Sequence, residues 1–364
     1  MDQRDPVLAR LIDQVLAAQT HHTPLDIRGG GTKAFYGGPP KGEPLDVTGL
    51  AGISSYEPTE LVVTARAGTP LADLEAALEE QGQCLAFEPP RFSSGGTVGG
   101  MVAAGLSGPA RASAGSVRDH LLGVTLLDGR GEVLAFGGQV AKNVAGYDVA
   151  RLMAGSWGIL GVICEVSLKV LPIHRVTTTL YFDWDESRAL ERLGIWASQP
   201  LPMNASAWYQ GRLYVRLAGA AAAVRAACDK LGGTAVAPDA ALTGWLSLRD
   251  QTDGFFSLGE ADLARGERLW RLSLPATAAP IRLPGRQVIE WNGAQRWWRT
   301  AADAGQVRAA AAGAGGHATL ARGADKSCGV FTPVSEVLMR IHRELKRAFD
   351  PACVFNPGRL YAGL

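Results

Sequence analysis

Arg28-Gly29-Gly30-Gly31-Thr32, then PRFSSGGTVGGMVAAGLSGP (residues 90–109), then Ala154-Gly155-Ser156-Trp157-Gly158-Ile159-Leu160-Gly161: these three glycine-rich segments decide how the chain is read. Glycine loops let backbone N–H groups approach a ligand with no side chain in the way, and a run of such donors makes an anion-binding concavity. One such loop is a weak signal, and the first taken alone is also compatible with a plain hairpin. Three of them within about 130 residues, each beside a strand-like run, suggest one long diphosphate ligand held at several points, a dinucleotide rather than a mononucleotide. The usual dinucleotide fingerprint does not fit. G-x-G-x-x-G requires a helix directly after the glycines, and here Thr32 is followed by KAFYGGPP, which no helix accommodates. No Walker A pattern occurs either.

The remaining composition narrows the class. The chain has 364 residues, a formal charge of +1 and room for two cores. A charge so close to zero exerts no global pull toward nucleic acid or an anionic membrane. No apolar run approaches the roughly 20 residues of a bilayer span, and the start, MDQRDPVLARLIDQVLAAQT, reads as an amphipathic helix rather than a signal peptide. A cytoplasmic protein is expected, peripheral to the inner membrane only through a partner. Cys84, Cys164, Cys228, Cys328 and Cys353 stand singly with no C-x-x-C spacing. Neither a disulfide framework nor a cysteine-ligated cluster is expected from them, and no metal site.

Along the first half, short strands surround a helix at residues 70–82. Leu121 to Leu127 and Glu132 to Phe136 flank Asp128-Gly129-Arg130-Gly131 as a hairpin, Asp148 to Met153 forms a short helix, and an apolar strand runs from Ile159 to Val170. After Leu171-Pro172 the texture changes. Strands at 177–182, 205–209, 212–217, 269–274 and 287–291 alternate with alanine-rich helices at 186–198, 219–232 and 303–314, which suits helices on one face of an antiparallel sheet. A basic helix from Val334 to Phe349 precedes the tail FNPGR.

Taken in order, IRGGGTK (27–33), FEPPRFSSGGTVGGMVAAGLSGP (87–109), GSVRDHLLGV (115–124), AKNVAGYDVARLMAGSWGILGVICEVSLKVLP (141–172) and LKRAFDPACVFNPGRL (345–360) resemble the vanillyl-alcohol-oxidase/PCMH superfamily of FAD-binding oxidoreductases. The resemblance implies an α+β fold: a PCMH-type FAD-binding domain of two α+β subdomains at residues 1–172, a smaller α+β, ferredoxin-like cap at 173–344, and a segment at 345–364 that returns to the FAD domain. It puts Gly29, Gly30, Gly31 and Thr32 at the diphosphate. Gly95, Gly96, Thr97, Gly99 and Gly100 would follow the diphosphate and ribityl chain, with Ala104 and Gly105 near the isoalloxazine and Gly161, Val162 and Ile163 on the adenosine side. Members that attach FAD covalently do so through a histidine just after the first loop. Thr32 stands there, so noncovalent FAD is implied.

Related 2-hydroxy-acid dehydrogenases carry a histidine-rich metal site in the second half of the chain. His21, His22, His120, His174, His317 and His342 form no such pair, no E-H-G occurs, and no catalytic residue is assigned. A chain with cofactor loops but without that site is similar to the smaller FAD subunits of bacterial glycolate oxidase/dehydrogenase complexes. The resemblance then implies two partners: a larger FAD-containing glycolate oxidase subunit and an iron–sulfur subunit. A stand-alone oxidoreductase of an alcohol or 2-hydroxy acid, and a subunit with purely structural FAD, remain as alternatives. Of nine tryptophans, eight follow residue 172. Adjacent strand residues point to opposite faces, so one of Trp297 and Trp298 is expected off the core, at a domain contact or a partner interface.

Overall fold

A computed structural model describes residues 5–138 and 147–364; residues 139–146, which hold most of the AKNVAGYD stretch, and residues 1–4 lie outside the described residues. The first helix, Pro6–His21, starts where Asp5 accepts hydrogen bonds from the N–H groups of Val7 and Leu8 and Pro6 fills the first turn. Leu8, Leu11, Val15 and Ala18 fall on one face and are buried, the 3.6-residue period of an amphipathic helix. They cover a parallel pair of short strands, Leu25–Arg28 and Glu43–Asp46. The first glycine loop is the excursion that joins the pair.

The tail joins this layer. Leu25 donates its N–H to the Val354 carbonyl at 2.7 Å, and Asn356 donates to the Leu25 carbonyl at 2.9 Å. Next to it lies a five-stranded antiparallel sheet in the order Ile53–Glu57, Val62–Arg66, Val162–Lys169, Leu121–Leu127, Val133–Gly137. The hairpin expected at Asp128-Gly129-Arg130-Gly131 is present: buried Asp128 accepts from the N–H groups of Arg130 and Glu132 and pins the turn. Helices Leu71–Glu80 and Val98–Ala104 pack on this sheet in one apolar cluster with Val63, Phe87, Met101 and Leu168.

Residues 176–322 supply an eight-stranded antiparallel sheet. Its order is Thr234–Ala235, Val176–Phe182, Arg212–Gly219, Met203–Tyr209, Arg286–Glu290, Gln295–Thr300, Arg268–Ser273, His317–Arg322. Two halves compose it. The first runs strand, helix Glu186–Ala197, two strands, helix Ala221–Leu231, strand, in the ferredoxin-like spatial order. The second repeats that order with an irregular segment in place of its first helix, and the halves meet through Met203–Tyr209 and Arg286–Glu290. The ferredoxin-like expectation is thus met twice in one sheet.

Both sheet faces are covered, which corrects the reading of the tryptophan pair. Trp297 and Trp298 do point to opposite faces, but each is buried, at 5% and 3% exposure. Trp298 packs with Trp270, Val307 and Ala311 under helix Ala304–Gly313. Trp297 packs with Phe255 and Phe256, and helix Pro238–Asp250, absent from the sequence reading, covers the same face near Ala205 and Ala207. A sheet sandwiched on both sides leaves neither ring for a partner, while Trp297 does meet the first half of the chain, in one cluster with Tyr36, Leu106 and Trp157. Among the described residues no helix is long and apolar enough to cross a membrane.

Candidate functional site

An open cleft, with about 270 Å³ accessible to water centres, runs between the parallel strand pair and the five-stranded sheet. Ten of the fourteen residues expected at the cofactor line it: Gly29, Gly30, Gly31, Thr32, Thr97, Gly99, Gly100, Ala104, Gly161 and Ile163. The other four are placed behind the wall. Gly95 and Gly96 back the first glycine loop, and a Cβ at Gly30 would overlap the Gly95 carbonyl, so the two loops touch backbone to backbone. Gly105 ends helix Val98–Ala104 at φ +65°, where a Cβ would stand 2.8 Å from Gly155. Val162 points into the core beneath the first helix. Its neighbours Gly161 and Ile163 face the cleft because side chains alternate along a strand.

The first loop is built to receive an anion. Among the described residues, none of the N–H groups of residues 29–33 donates a hydrogen bond to protein. Facing an open cleft, these donors stay available to a ligand, and together they form a donor nest. Lys33 adds a charge. It is buried, forms no ion pair among the described residues, and reaches only Thr32 Oγ1 at 3.4 Å and the Phe92 ring at 5.6 Å. Burial pushes its ammonium down to about 8, against a partial opposing pull from Asp250. A buried cation and a row of free donors on one cleft wall fit a diphosphate.

The sequence reading passed over Lys33, and also two residues of the tail motif. Asn356 accepts from the Ile27 N–H at 2.7 Å and donates to the Trp157 carbonyl at 2.6 Å, which ties the first and third glycine segments together. The Arg359 guanidinium donates to the carbonyls of Tyr36 at 2.9 Å and of Gly38, and lies 5.5 Å from the Trp157 ring. The signal was present in FNPGR, a polar motif after a helix; its target was not, because that target lies some 200 to 330 residues away in sequence. Trp157 stacks on Tyr36, ring centres 5.3 Å apart and planes at 11°. Trp157 lines the cleft, whereas Tyr36 lines a second, smaller cavity against the large sheet. The stack is therefore the partition between the two spaces.

No histidine or cysteine is among the side chains lining the cleft. Burial pushes the Cys84 thiol up to about 11 and the Cys164 thiol up to about 12, so neither is a thiolate at neutral pH. His317 is exposed and lies in neither cavity. Among the described residues, no three His, Cys, Asp or Glu side chains converge as metal ligands do.

Comparison with known proteins agrees with this geometry. Residues 8–137 match the family model of the FAD binding domain. The fold resembles that of an alkyldihydroxyacetonephosphate synthase, with a TM-score of 0.65 at 14% identity, over 96% of this chain and 74% of that one. This is a PCMH-type FAD-binding fold, and FAD is its cofactor. The "Glycolate oxidase subunit GlcE" of Escherichia coli (strain K12) is 47% identical over 354 residues, 97% of each chain. The chain belongs to the family of that subunit, among the FAD-linked oxidoreductases. Likeness to a "D-lactate dehydrogenase" of Anaerostipes hadrus is 33% over 39% of this chain and 29% of that protein. For the "Glycolate oxidase subunit GlcD" of Bacillus subtilis (strain 168) it is 32%, over 44% of this chain and 34% of that protein.

Proposed function

We propose that this chain is the FAD-binding subunit of a glycolate-oxidising complex, in which electrons from the conversion of glycolate to glyoxylate pass through its flavin toward an iron–sulfur partner. A larger FAD-containing subunit would be its second partner. On this reading residues 1–172 and 345–364 form the flavin domain and 173–344 the cap, and the protein works in the cytoplasm, reaching the inner membrane only through its partners. The observation that carries the reading is full-length likeness to a glycolate oxidase subunit together with a cleft whose donors at residues 29–33 have no acceptor among the described residues.

FAD, when bound, supplies a two-electron acceptor. The N–H groups of residues 29–33 and the Lys33 ammonium would hold the diphosphate, while Gly99, Gly100 and Ala104 keep another part of the wall free of bulk. Gly161 and Ile163 would meet the adenosine end, as the family resemblance implies. Trp157, stacked on Tyr36, and Arg359 would form part of the cleft wall. Attachment is noncovalent, since Thr32 offers no ring nitrogen and the cleft holds no thiol. Acid precipitation should therefore release the flavin into the supernatant. Co-purification of the natively expressed protein should recover a larger flavoprotein and an iron–sulfur protein; a lone chain with full glycolate-to-dye activity contradicts the proposal.

A further inference from the structure

Helix Pro238–Asp250 ends on an acid, at the terminus where the helix dipole disfavours one. Two donors hold the Asp250 carboxylate in that place. Arg249 grips both oxygens, Nε on Oδ1 at 3.0 Å and Nη2 on Oδ2 at 2.7 Å. The Arg91 N–H donates to Oδ1 at 2.9 Å. This last bond crosses from the large-sheet half of the chain to the start of the second glycine segment. The next residue, Phe92, has φ +60°, a left-handed conformation that a bulky side chain keeps only where its surroundings fix it. From that turn the Phe92 ring packs edge-on to Phe35, centres 5.2 Å apart, and lies 5.6 Å from Lys33 Nζ. Lys33 Nζ also comes within 4.0 Å of the place that a Cβ at Gly96 would take. A line of contacts thus runs from Asp250 through the Arg91–Phe92 turn to the ammonium in the cofactor cleft.

We propose that Asp250 is a positioning residue of the FAD site: it anchors the Arg91–Phe92 turn against Lys33, and its carboxylate supplies the counter-charge that Lys33 lacks until a diphosphate arrives. The proposal rests on the reading of Lys33 as a diphosphate ligand and adds a residue that does not itself line the cleft, 159 positions beyond Arg91. No ion pair joins Asp250 to Lys33, so the charge acts across the turn, where a partly dry interior screens it less than water does. Burial lowers the Lys33 ammonium to about 8, and Asp250 opposes that fall. The other charged groups around the turn are engaged elsewhere. Arg91 pairs with Glu75 of helix Leu71–Glu80, and Glu88 with Arg216 at 2.7 Å. Arg322 lies on the Phe35 ring, while Lys326 and Arg359 donate to carbonyls of the loop at residues 35–38. Without the Asp250 charge, Lys33 loses its proton at lower pH, and binding a dianion then requires proton uptake at lower pH. Without its oxygen as acceptor, the turn is loosened at every pH.

Two variants separate the two roles: Asp250→Asn keeps an acceptor for the Arg91 N–H and removes the charge, whereas Asp250→Ala removes both. The full-length apoprotein is titrated with FAD from pH 6 to 10, read by flavin fluorescence, with neither substrate nor partner present. The result is therefore independent of the proposed role in the complex, which stands or fails on co-purification. The wild type should be level to about pH 8 and then decline by up to about tenfold per pH unit. Asp250→Asn should bind like the wild type at pH 6 and begin its decline about half a pH unit lower. Asp250→Ala should share the early decline and bind about fivefold more weakly even at pH 6, the worth of one hydrogen bond. In a Lys33→Met background, Asp250→Asn should change nothing. A wild type that is flat to pH 10 overturns the Lys33 reading and this proposal with it. A declining wild type overlaid by Asp250→Asn, or a shift that persists in Lys33→Met, overturns the role of Asp250 alone, as does Asp250→Ala binding like Asp250→Asn at pH 6. Should Asp250→Ala fail to fold, the Asn profile still decides.

Discussion

Asn356 and Trp157 lie almost 200 residues apart, and the Asn356 Nδ2 donates to the Trp157 carbonyl at 2.6 Å while its Oδ1 accepts from Ile27. One tail side chain thus ties together two glycine segments that both line the cleft. Asn356→Leu leaves a buried N–H and a buried carbonyl without partners, at about 1–3 kcal/mol each. FAD affinity should fall by tenfold or more, and the unfolding midpoint should drop as well. Flavin fluorescence on titration measures the first; an unchanged dissociation constant would rule out the clamp.

Lys33 makes FAD binding depend on pH. Its ammonium titrates at about 8 in the protein as described, and a bound diphosphate favours the charged form, so binding takes up a proton above that pH. Affinity should be level below about pH 8 and decline above it. Lys33→Met should bind more weakly throughout and lose the decline, whereas Lys33→Arg should stay level well above pH 8. Titrations from pH 6 to 10 decide it; a wild-type curve that is flat to pH 10 refutes the role.

Beneath the tail, Lys346 Nζ donates to Asp350 Oδ2 at 2.7 Å and to the carbonyls of Ile159 at 2.7 Å and Phe355 at 2.6 Å, all buried. Every ammonium proton is used, and Asp350 in turn accepts from the N–H groups of Val354 and Phe355. Lys346→Met leaves an uncompensated buried carboxylate and should cost about 3–5 kcal/mol. Restoring neutrality with Lys346→Met/Asp350→Asn should recover part of the loss. Denaturant unfolding measures both, and a double variant no more stable than the single one would show that the charge is not the cause.

Trp298 is a core residue rather than a contact surface. Its ring is buried against Trp270 and Val307, and its Nε1 donates to the Pro284 carbonyl at 3.0 Å. Trp298→Ala should destabilise the chain by about 3–5 kcal/mol. A surface role predicts little change in unfolding and a loss of partner binding instead, so comparing the two measurements separates the alternatives.

The sequence by itself determined the three glycine segments, the Asp128–Gly131 hairpin and the helices at 186–198, 219–232 and 303–314, because each requirement is local, whereas the return of the tail was implied only by the family resemblance. A close backbone approach excludes side chains at Gly30 whatever lies elsewhere, and an amphipathic face shows itself within a few turns. Only the tertiary structure decided what touches what. Strand Gln295–Thr300, QRWWRT, is buried along its whole length and so lacks the alternation that marks a half-exposed strand. Arg296 reads as a surface residue, yet it is fully buried and satisfied by the carbonyls of Ala278 and Ala279. Covering both faces of the sheet turned Trp297 and Trp298 inward and brought Arg271, Glu290 and Gln295 around one cavity. Burial by distant segments sets a charge's environment, its partners and its pKa, and none of these is written in the residues beside it.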